Sequence, residues 1–292
     1  MHTGTIARLA QLSDFHFTQL TWNPFRLFPK RWLGQANWLL HRRSLSSPTP
    51  LRALPRYLRD LGVDWIVLGG DFTSTALPRE FDQVRSFLAA LPAPYLAVPG
   101  NHDYYTVRSF RTLRYFRAVP SQRDPASETT CPLQLAQDGV EAKKIAPQWW
   151  MVSIDTSRPT RLFSAQGLFS KKLEERLLEA LRLIPATDSI AMLSHYPFLN
   201  NGSPKHGLRH AARLEEIVRA DRRIRLYLHG HTHRQTVANL QPSGLPVVCD
   251  GGFCGAGAWN LLSLDAEGVE VQSYRWQEGW QIARTQRIAW TR

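Results

Sequence analysis

Short apolar runs recur along the chain, and most of them end in Asp, Asn or His. IARLAQLSDFH runs into Asp14 and His16, and VDWIVLGGD into Asp71. APYLAVPGNHD reaches Asn101, His102 and Asp103, DSIAMLSH reaches His195, and IRLYLHGHTH reaches His231 and His233. Such compact, near-continuous hydrophobicity predicts strands covered on both faces. Between these runs the apolar positions fall at helical spacing. TPLRALPRYLRDLG puts Leu51, Leu54 and Leu58 on one face ahead of Gly62, and LPREFDQVRSFLAAL does the same with Phe81, Val84 and Leu88 behind Pro78. SKKLEERLLEALRLIP carries Leu173, Leu177, Leu181 and Ile184 up to Pro185, and LRHAARLEEIVRAD repeats the pattern. Alternating strands and helices predict an α/β protein, with polar residues gathered at strand carboxyl ends, where such folds place their sites.

Over roughly the last 60 residues the pattern changes. GLPVVCDGG, AWNLLSLDAEGVEVQSYRW and GWQIARTQRIAW alternate apolar with polar positions and carry AEG and QEG turns. They predict antiparallel hairpins, and hence a second sheet stacked on the first. No repeat, low-complexity tract or flexible linker interrupts the pattern. The expectation is a single domain over residues 1–292.

Composition narrows the class. With 43% hydrophobic and 21% charged residues the chain reads as globular, which excludes a disordered protein. No apolar stretch approaches the roughly 20 residues of a membrane span, and MHTGTIARLAQLSD lacks the layout of a secretory leader. Three cysteines, Cys131, Cys249 and Cys254, are too few for a disulfide framework, so reduced thiols and a cytoplasmic location are expected. The CDGGFC pair reads as packing thiols in a Gly-rich turn. The net charge of +12 implies anionic company: nucleic acid, a phospholipid surface or a phosphorylated substrate. From Phe15 to Arg59 there are eight Lys/Arg and no Asp or Glu.

Candidate chemistry lies at the strand ends. In HGHTH, strand alternation would send His231 and His233 to the same side, and neutral imidazole is the commonest transition-metal ligand. A polar turn explains an isolated HxH equally well. The set Asp14, His16, Asp71, Asn101, His195, His231 and His233 is another matter, because it joins carboxylate, amide oxygen and imidazole without thiolate. That mixture suits two borderline divalent ions sharing a carboxylate. Buried carboxylates and histidines at five separate strand ends would otherwise each need their own partner.

In order along the chain, SDFHF, GGDF, PGNHD, SHYP and HGHTH reproduce the D-x-H, G-D, G-N-H-D/E, H and G-H-x-H signature. The chain therefore resembles the calcineurin-like metallophosphoesterases over about residues 6–238. The resemblance implies a two-sheet sandwich flanked by helices. It also implies that Asp14, His16, Asp71 and His233 hold one metal ion, and that Asp71, Asn101, His195 and His231 hold the other. Two such ions activate water and neutralise phosphate charge during in-line attack. Manganese is the expected metal, with iron, zinc and cobalt as alternatives. His102 would stabilise the phosphoryl oxygen or protonate the leaving group, with Asp103 orienting its other ring nitrogen. His229 shares a face with His231 and reads as a packing residue.

The substrate is not written in the motif. Between His16 and Asp71 lies an insertion, about residues 18–50, that reads as an amphipathic cap. As a helix from Lys30 to Arg43 it would present Trp32, Leu33 and Leu39 on one stripe, with cationic flanks, the pattern of a segment lying on anionic lipid. An ordinary helix packed on the domain gives the same stripe. Downstream, Arg108, Arg111, Arg114 and Arg117 recur every third residue and could clamp a diphosphate or form a solvated helix face. The leading expectation is a hydrolase of a phosphodiester or pyrophosphate in a lipid-bearing substrate, peripheral at the inner face of the cell membrane. Within the family resembled, the hydrolases that convert UDP-2,3-diacylglucosamine to lipid X and UMP in lipid A synthesis fit that description. A cyclic-nucleotide or other small phosphodiesterase is the alternative enzyme, and a membrane- or partner-binding scaffold the non-enzymatic one. A nucleic-acid substrate ranks below these, and oligomeric state is not encoded in any of the motifs.

Overall fold

A computed structural model describes residues 4–19, 21, 32, 48–121, 131–162, 164–199 and 205–291. Elements are numbered in chain order among these residues. The strands are β1 (Ala7–Leu12), β2 (Trp65–Leu68), β3 (Tyr95–Ala97), β4 (Val140–Ala146), β5 (Trp149–Ile154), β6 (Gly167–Leu168), β7 (Ser189–Ser194), β8 (Leu208–Arg209), β9 (Ile224–His229), β10 (Thr236–Asn239), β11 (Val247–Asp250), β12 (Ala258–Leu264), β13 (Gly268–Trp276) and β14 (Trp280–Ala289). The helices are α1 (Pro48–Leu61), α2 (Pro78–Ala90), α3 (Val107–Arg111), α4 (Arg114–Ala118), α5 (Leu135–Asp138), α6 (Lys171–Leu183) and α7 (Ala211–Ala220).

Two six-stranded sheets form, in the orders β14-β13-β12-β1-β2-β3 and β10-β11-β9-β7-β5-β4. The period-2 geometry of a strand explains how they stack. In β1, Leu9 joins the layer between the sheets while Ala10 and Leu12 join the layer under helices. Val67 of β2 and Leu193 of β7 point inward in the same sense, and Ile66 and Met192 outward. Leu54 and Leu58 of α1 with Phe81 and Val84 of α2 cover the first sheet; Leu177 and Leu181 of α6 with Leu214 and Val218 of α7 cover the second. Each such fully buried side chain contributes about 1.5–3 kcal/mol. The α/β expectation and the helix-flanked two-sheet sandwich are both met.

The origin of the second sheet differs from expectation. The C-terminal hairpins β12–β13 and β13–β14 are antiparallel as expected, but β12 pairs with β1 and so extends the first sheet. GLPVVCD supplies β11, which runs parallel to β9 in the other sheet. Alternation reports that one face is buried, not which sheet buries it. The second sheet also needs the β4–β5 hairpin, which the sequence reading passed over. No helix among the described residues is long and apolar enough to cross a membrane. Cys249 and Cys254 are buried and unpaired, as packing thiols.

Of the anticipated cap, Leu33 and Leu39 lie outside the described residues. Trp32 is described and is 60% exposed.

Candidate metal centre

The runs that end in candidate ligands divide between the sheets: β1, β2 and β3 lie in one, β7 and β9 in the other. Their carboxyl ends meet along one edge of the sandwich. Asp14, His16, Asp71 and His233 each bring a ligand atom to within 4.8 Å of the others. His16 Nε2 lies 3.8 Å from Asp71 Oδ2, and His195 Nε2 reaches the same oxygen from the other side at 3.6 Å. Asp71 thus stands between two groups of ligands. His231 Nδ1 is 3.3 Å from His195 Nε2, and His233 Nε2 is 3.1 Å from both His16 Nε2 and Asp14 Oδ1.

The backbone is bent to achieve this. Asp14, His16, Asp71, His231 and His233 all have φ between 50° and 71°. That left-handed region costs an L-residue about 1–2 kcal/mol, and such strain clusters where function demands it. Cross-links between the loops hold the conformation: Phe15 N and His16 N both donate to Asp71 O, His102 N donates to Asp71 Oδ1, and His231 N donates to Asp14 Oδ2. Two glycines make room. A Cβ at Gly100 would lie 2.1 Å from Asp71 Oδ1, and one at Gly230 would lie 2.6 Å from Asp14 Oδ2. Gly100→Ala is therefore expected to displace Asp71, lowering both the melting temperature and metal uptake. A Gly100→Ala protein that melts and takes up metal like the parent would show that the loop yields freely.

This bending changes one expectation. His231 and His233 do not share a side of an extended strand, since β9 stops at His229 and both follow in the turn. One faces His195, the other Asp14 and His16, so the two rings meet different candidate ligands. His229 is buried, with Nδ1 2.9 Å from Gly230 O and 3.6 Å from Asp250 Oδ2.

Hydrogen bonding decides which nitrogens are available as ligands. His195 Nδ1 lies 2.7 Å from Gly69 O, and His231 Nε2 lies 2.6 Å from His206 O. Carbonyls only accept, so each of these nitrogens carries the proton. Burial pushes the His195 pKa down and that of His231 down to about 3, so both rings are neutral. His195 Nε2 and His231 Nδ1 therefore confront each other, 3.3 Å apart, as two lone pairs. The buried Asp14 Oδ1 lies 3.1 Å from His233 Nε2 and 3.8 Å from His16 Nε2. Burial alone would raise the Asp14 pKa, but His233, with His195 and the Ser13 hydroxyl, holds the carboxyl well below the usual range. Two opposed lone pairs and a buried carboxylate oxygen faced by imidazoles form a donor set that fits divalent cations.

His102 is half-buried, its ring edge-on to His16 at 4.7 Å between centroids. Its Nδ1 donates to Ser74 O at 2.6 Å. Asp103 does not orient it. That carboxylate instead accepts from Gly100 N, Phe72 N, Thr73 N and Thr73 Oγ1, stapling the loop after β3 to the loop after β2. The residue next to a histidine in sequence need not touch its ring, and here a carbonyl from another loop is closer. Burial pushes the Asp103 pKa up to about 6.

Arg108 and Arg111 stand exposed on α3, and among the described residues neither contacts a candidate ligand. Their three-residue spacing does not make one continuous face, because Leu113, at φ 48°, separates α3 from α4. Arg114 turns back to donate to Ala76 O.

Two contributors escaped the sequence reading. Gln11, a polar residue inside the apolar run of β1, ties the sheets together beneath the site by donating to His229 O and Cys249 O. Tyr196 is fully buried against His195, His231 and Asn101. A neutral polar residue on an otherwise apolar stretch, Leu9–Leu12, was a readable signal for Gln11; nothing in SHYP marks Tyr196.

Comparison with known proteins agrees with this architecture. A probable cyclic nucleotide phosphodiesterase from a Synechococcus strain is 23% identical over 233 residues, 75% of this chain and 79% of that protein. A dimetal phosphatase from Danio rerio superposes with a TM-score of 0.68 at 15% identity, covering 99% of this chain and all of that one. A purple acid phosphatase from yellow lupin gives 0.61 at 10% identity, covering 98% of this chain and 54% of that one. The calcineurin-like phosphoesterase profile matches residues 7–235, and the chain belongs to that family as a metal-dependent phosphohydrolase.

Proposed function

We propose that the protein hydrolyses a phosphodiester at a dinuclear centre. Asp14, His16, Asp71 and His233 would hold one divalent cation, Asp71, Asn101, His195 and His231 the other, and the Asp71 carboxylate would be shared. The observation that carries this reading is the opposed pair of lone pairs on His195 and His231, 3.3 Å apart. Once bound, the cations would supply an activated water and neutralise phosphate charge. Mixed oxygen and imidazole ligands without thiolate accept manganese, iron, zinc or cobalt, and manganese is the first to be tested.

His102 completes the chemistry from the protein side. With its Nδ1–H held by Ser74 O, the ring would present Nε2 to the substrate and, as the imidazolium, give its Nε2 proton to the departing oxygen, leaving a neutral ring that keeps its Nδ1–H. Ser74 Oγ in turn donates to His16 O, so the group that holds His102 is anchored to a candidate ligand loop.

Two substrate classes have separate support. The Synechococcus relative's name favours a cyclic nucleotide. The basic, aromatic insertion and the exposed Trp32 favour an acylated substrate such as UDP-2,3-diacylglucosamine, met at an anionic membrane surface. A mass-spectrometric product screen of the manganese-loaded protein against nucleotides and UDP-linked lipids tests both. If the insertion grips acyl chains, Trp32→Ala with Leu39→Ala lowers kcat/KM on the vesicle-presented substrate by about 10- to 100-fold, at roughly 0.8 kcal/mol per methylene. Cleavage of a soluble aryl phosphodiester stays near the parent value. Unchanged rates on both substrates would remove the lipid reading and leave the small phosphodiester.

A further inference from the structure

Tyr196 makes two polar contacts that one proton cannot satisfy. Its hydroxyl oxygen lies 2.8 Å from Ala165 O and 3.1 Å from Asn101 Oδ1. Both are acceptors, and a phenol has a single hydrogen to donate. The backbone carbonyl cannot change its role. The amide of Asn101 can, because a half-turn about its last bond exchanges oxygen for NH2 at almost no steric cost, and hydrogen bonding is what distinguishes the two. An NH2 cannot ligate a cation, whereas the amide oxygen can.

We propose that Tyr196 is the positioning residue that turns the Asn101 amide oxygen toward the second cation. The Tyr196 proton goes to Ala165 O, the shorter contact. The hydroxyl oxygen is then an acceptor, and Asn101 meets it with Nδ2–H. Oδ1 is left pointing away from Tyr196, as a ligand must. The surroundings leave Tyr196 little freedom to do otherwise. Its ring packs 4.4 Å from His231 and 5.0 Å, edge-on, from His195, and its backbone carbonyl accepts from Tyr227. The side chain is 0% exposed, and a phenol, with an ordinary pKa of about 10, keeps its proton at neutral pH. One tyrosine therefore touches Asn101, His195 and His231, and none of the residues assigned only to the first cation is among its ring or hydrogen-bond partners described above. It would tune one half of the centre.

This inference rests on the dinuclear reading above, and its test separates the two. Calorimetric titration with Mn2+ alone is carried out on the parent protein and on Tyr196→Phe, which keeps the ring and loses only the hydroxyl. Loss of an outer partner typically costs about 10- to 100-fold in metal affinity. The expected result is that weakening at the second equivalent, with the first unchanged and the melting temperature within a few degrees of the parent (an estimate for one lost hydrogen bond). Equal affinity for both equivalents overturns the proposal, and so does equal weakening of both with a large drop in melting temperature. A parent that binds fewer than two ions would instead refute the dinuclear reading. A second measurement needs no variant. In the Zn2+-loaded, 15N-labelled parent, the Asn101 side-chain NH2 gives cross-peaks to the Tyr196 ring if the amide is turned as proposed, and their absence from an assigned spectrum overturns it.

Discussion

Asp71→Ala is expected to abolish binding at both cation positions and to reduce phosphodiester hydrolysis by more than the about 10- to 100-fold that loss of a mere outer partner brings. The reason is its central place. Asp71 Oδ2 lies 3.8 Å from His16 Nε2 and 3.6 Å from His195 Nε2, while Oδ1 accepts from His102 N at 2.8 Å. Removing the carboxylate takes the shared charge from both groups of imidazoles and removes the oxygen that accepts from His102 N. Metal analysis should fall from about two ions per chain to none. A variant that retains one ion would mean that the two positions do not share Asp71. Full activity in a metal-free Asp71→Ala protein would sink the dinuclear mechanism.

His102→Ala should behave differently. The ring is absent from the ligand cluster, and its Nδ1 is committed to Ser74 O rather than to any candidate ligand. Both ions should remain, while kcat falls by about 10²-fold or more, the range for loss of a general acid. The fall should be smallest on substrates whose leaving group is already a good one, such as an activated aryl phosphodiester, because these need no proton. If metal is lost in step with activity, His102 is a ligand after all. If every substrate is slowed equally, its role is to stabilise the phosphoryl oxygen rather than to deliver a proton.

The corrections share a cause. The family resemblance implies that Asp103 orients the His102 ring, but the turn after β3 carries its side chain into the backbone amides of Gly100, Phe72 and Thr73. His231 and His233 are two apart, which suggested a common side, but left-handed backbone at both positions turns them to different candidate ligands. Arg108 and Arg111 are three apart, but a left-handed Leu113 ends the helix that would have aligned them with Arg114 and Arg117. Spacing rules assume regular backbone, and the site is built where the backbone is least regular.

By itself, the sequence determined the candidate ligands, because short apolar runs of strand character end in them and together they reproduce one ordered signature. It also determined the covering helices, because Leu54, Leu58, Leu177 and Leu181 recur at helical spacing. These are local properties, set by side-chain periodicity. Only the tertiary structure decided that β1, β2 and β3 belong to one sheet and β7 and β9 to the other, so that the site straddles the sandwich. Only it assigned the C-terminal hairpins to the first sheet, gave Ser74 to His102, and set Tyr196 against Asn101, His195 and His231. Those outcomes depend on contacts between residues far apart along the chain. No periodicity encodes them, because the energy that selects them comes from packing whole faces together.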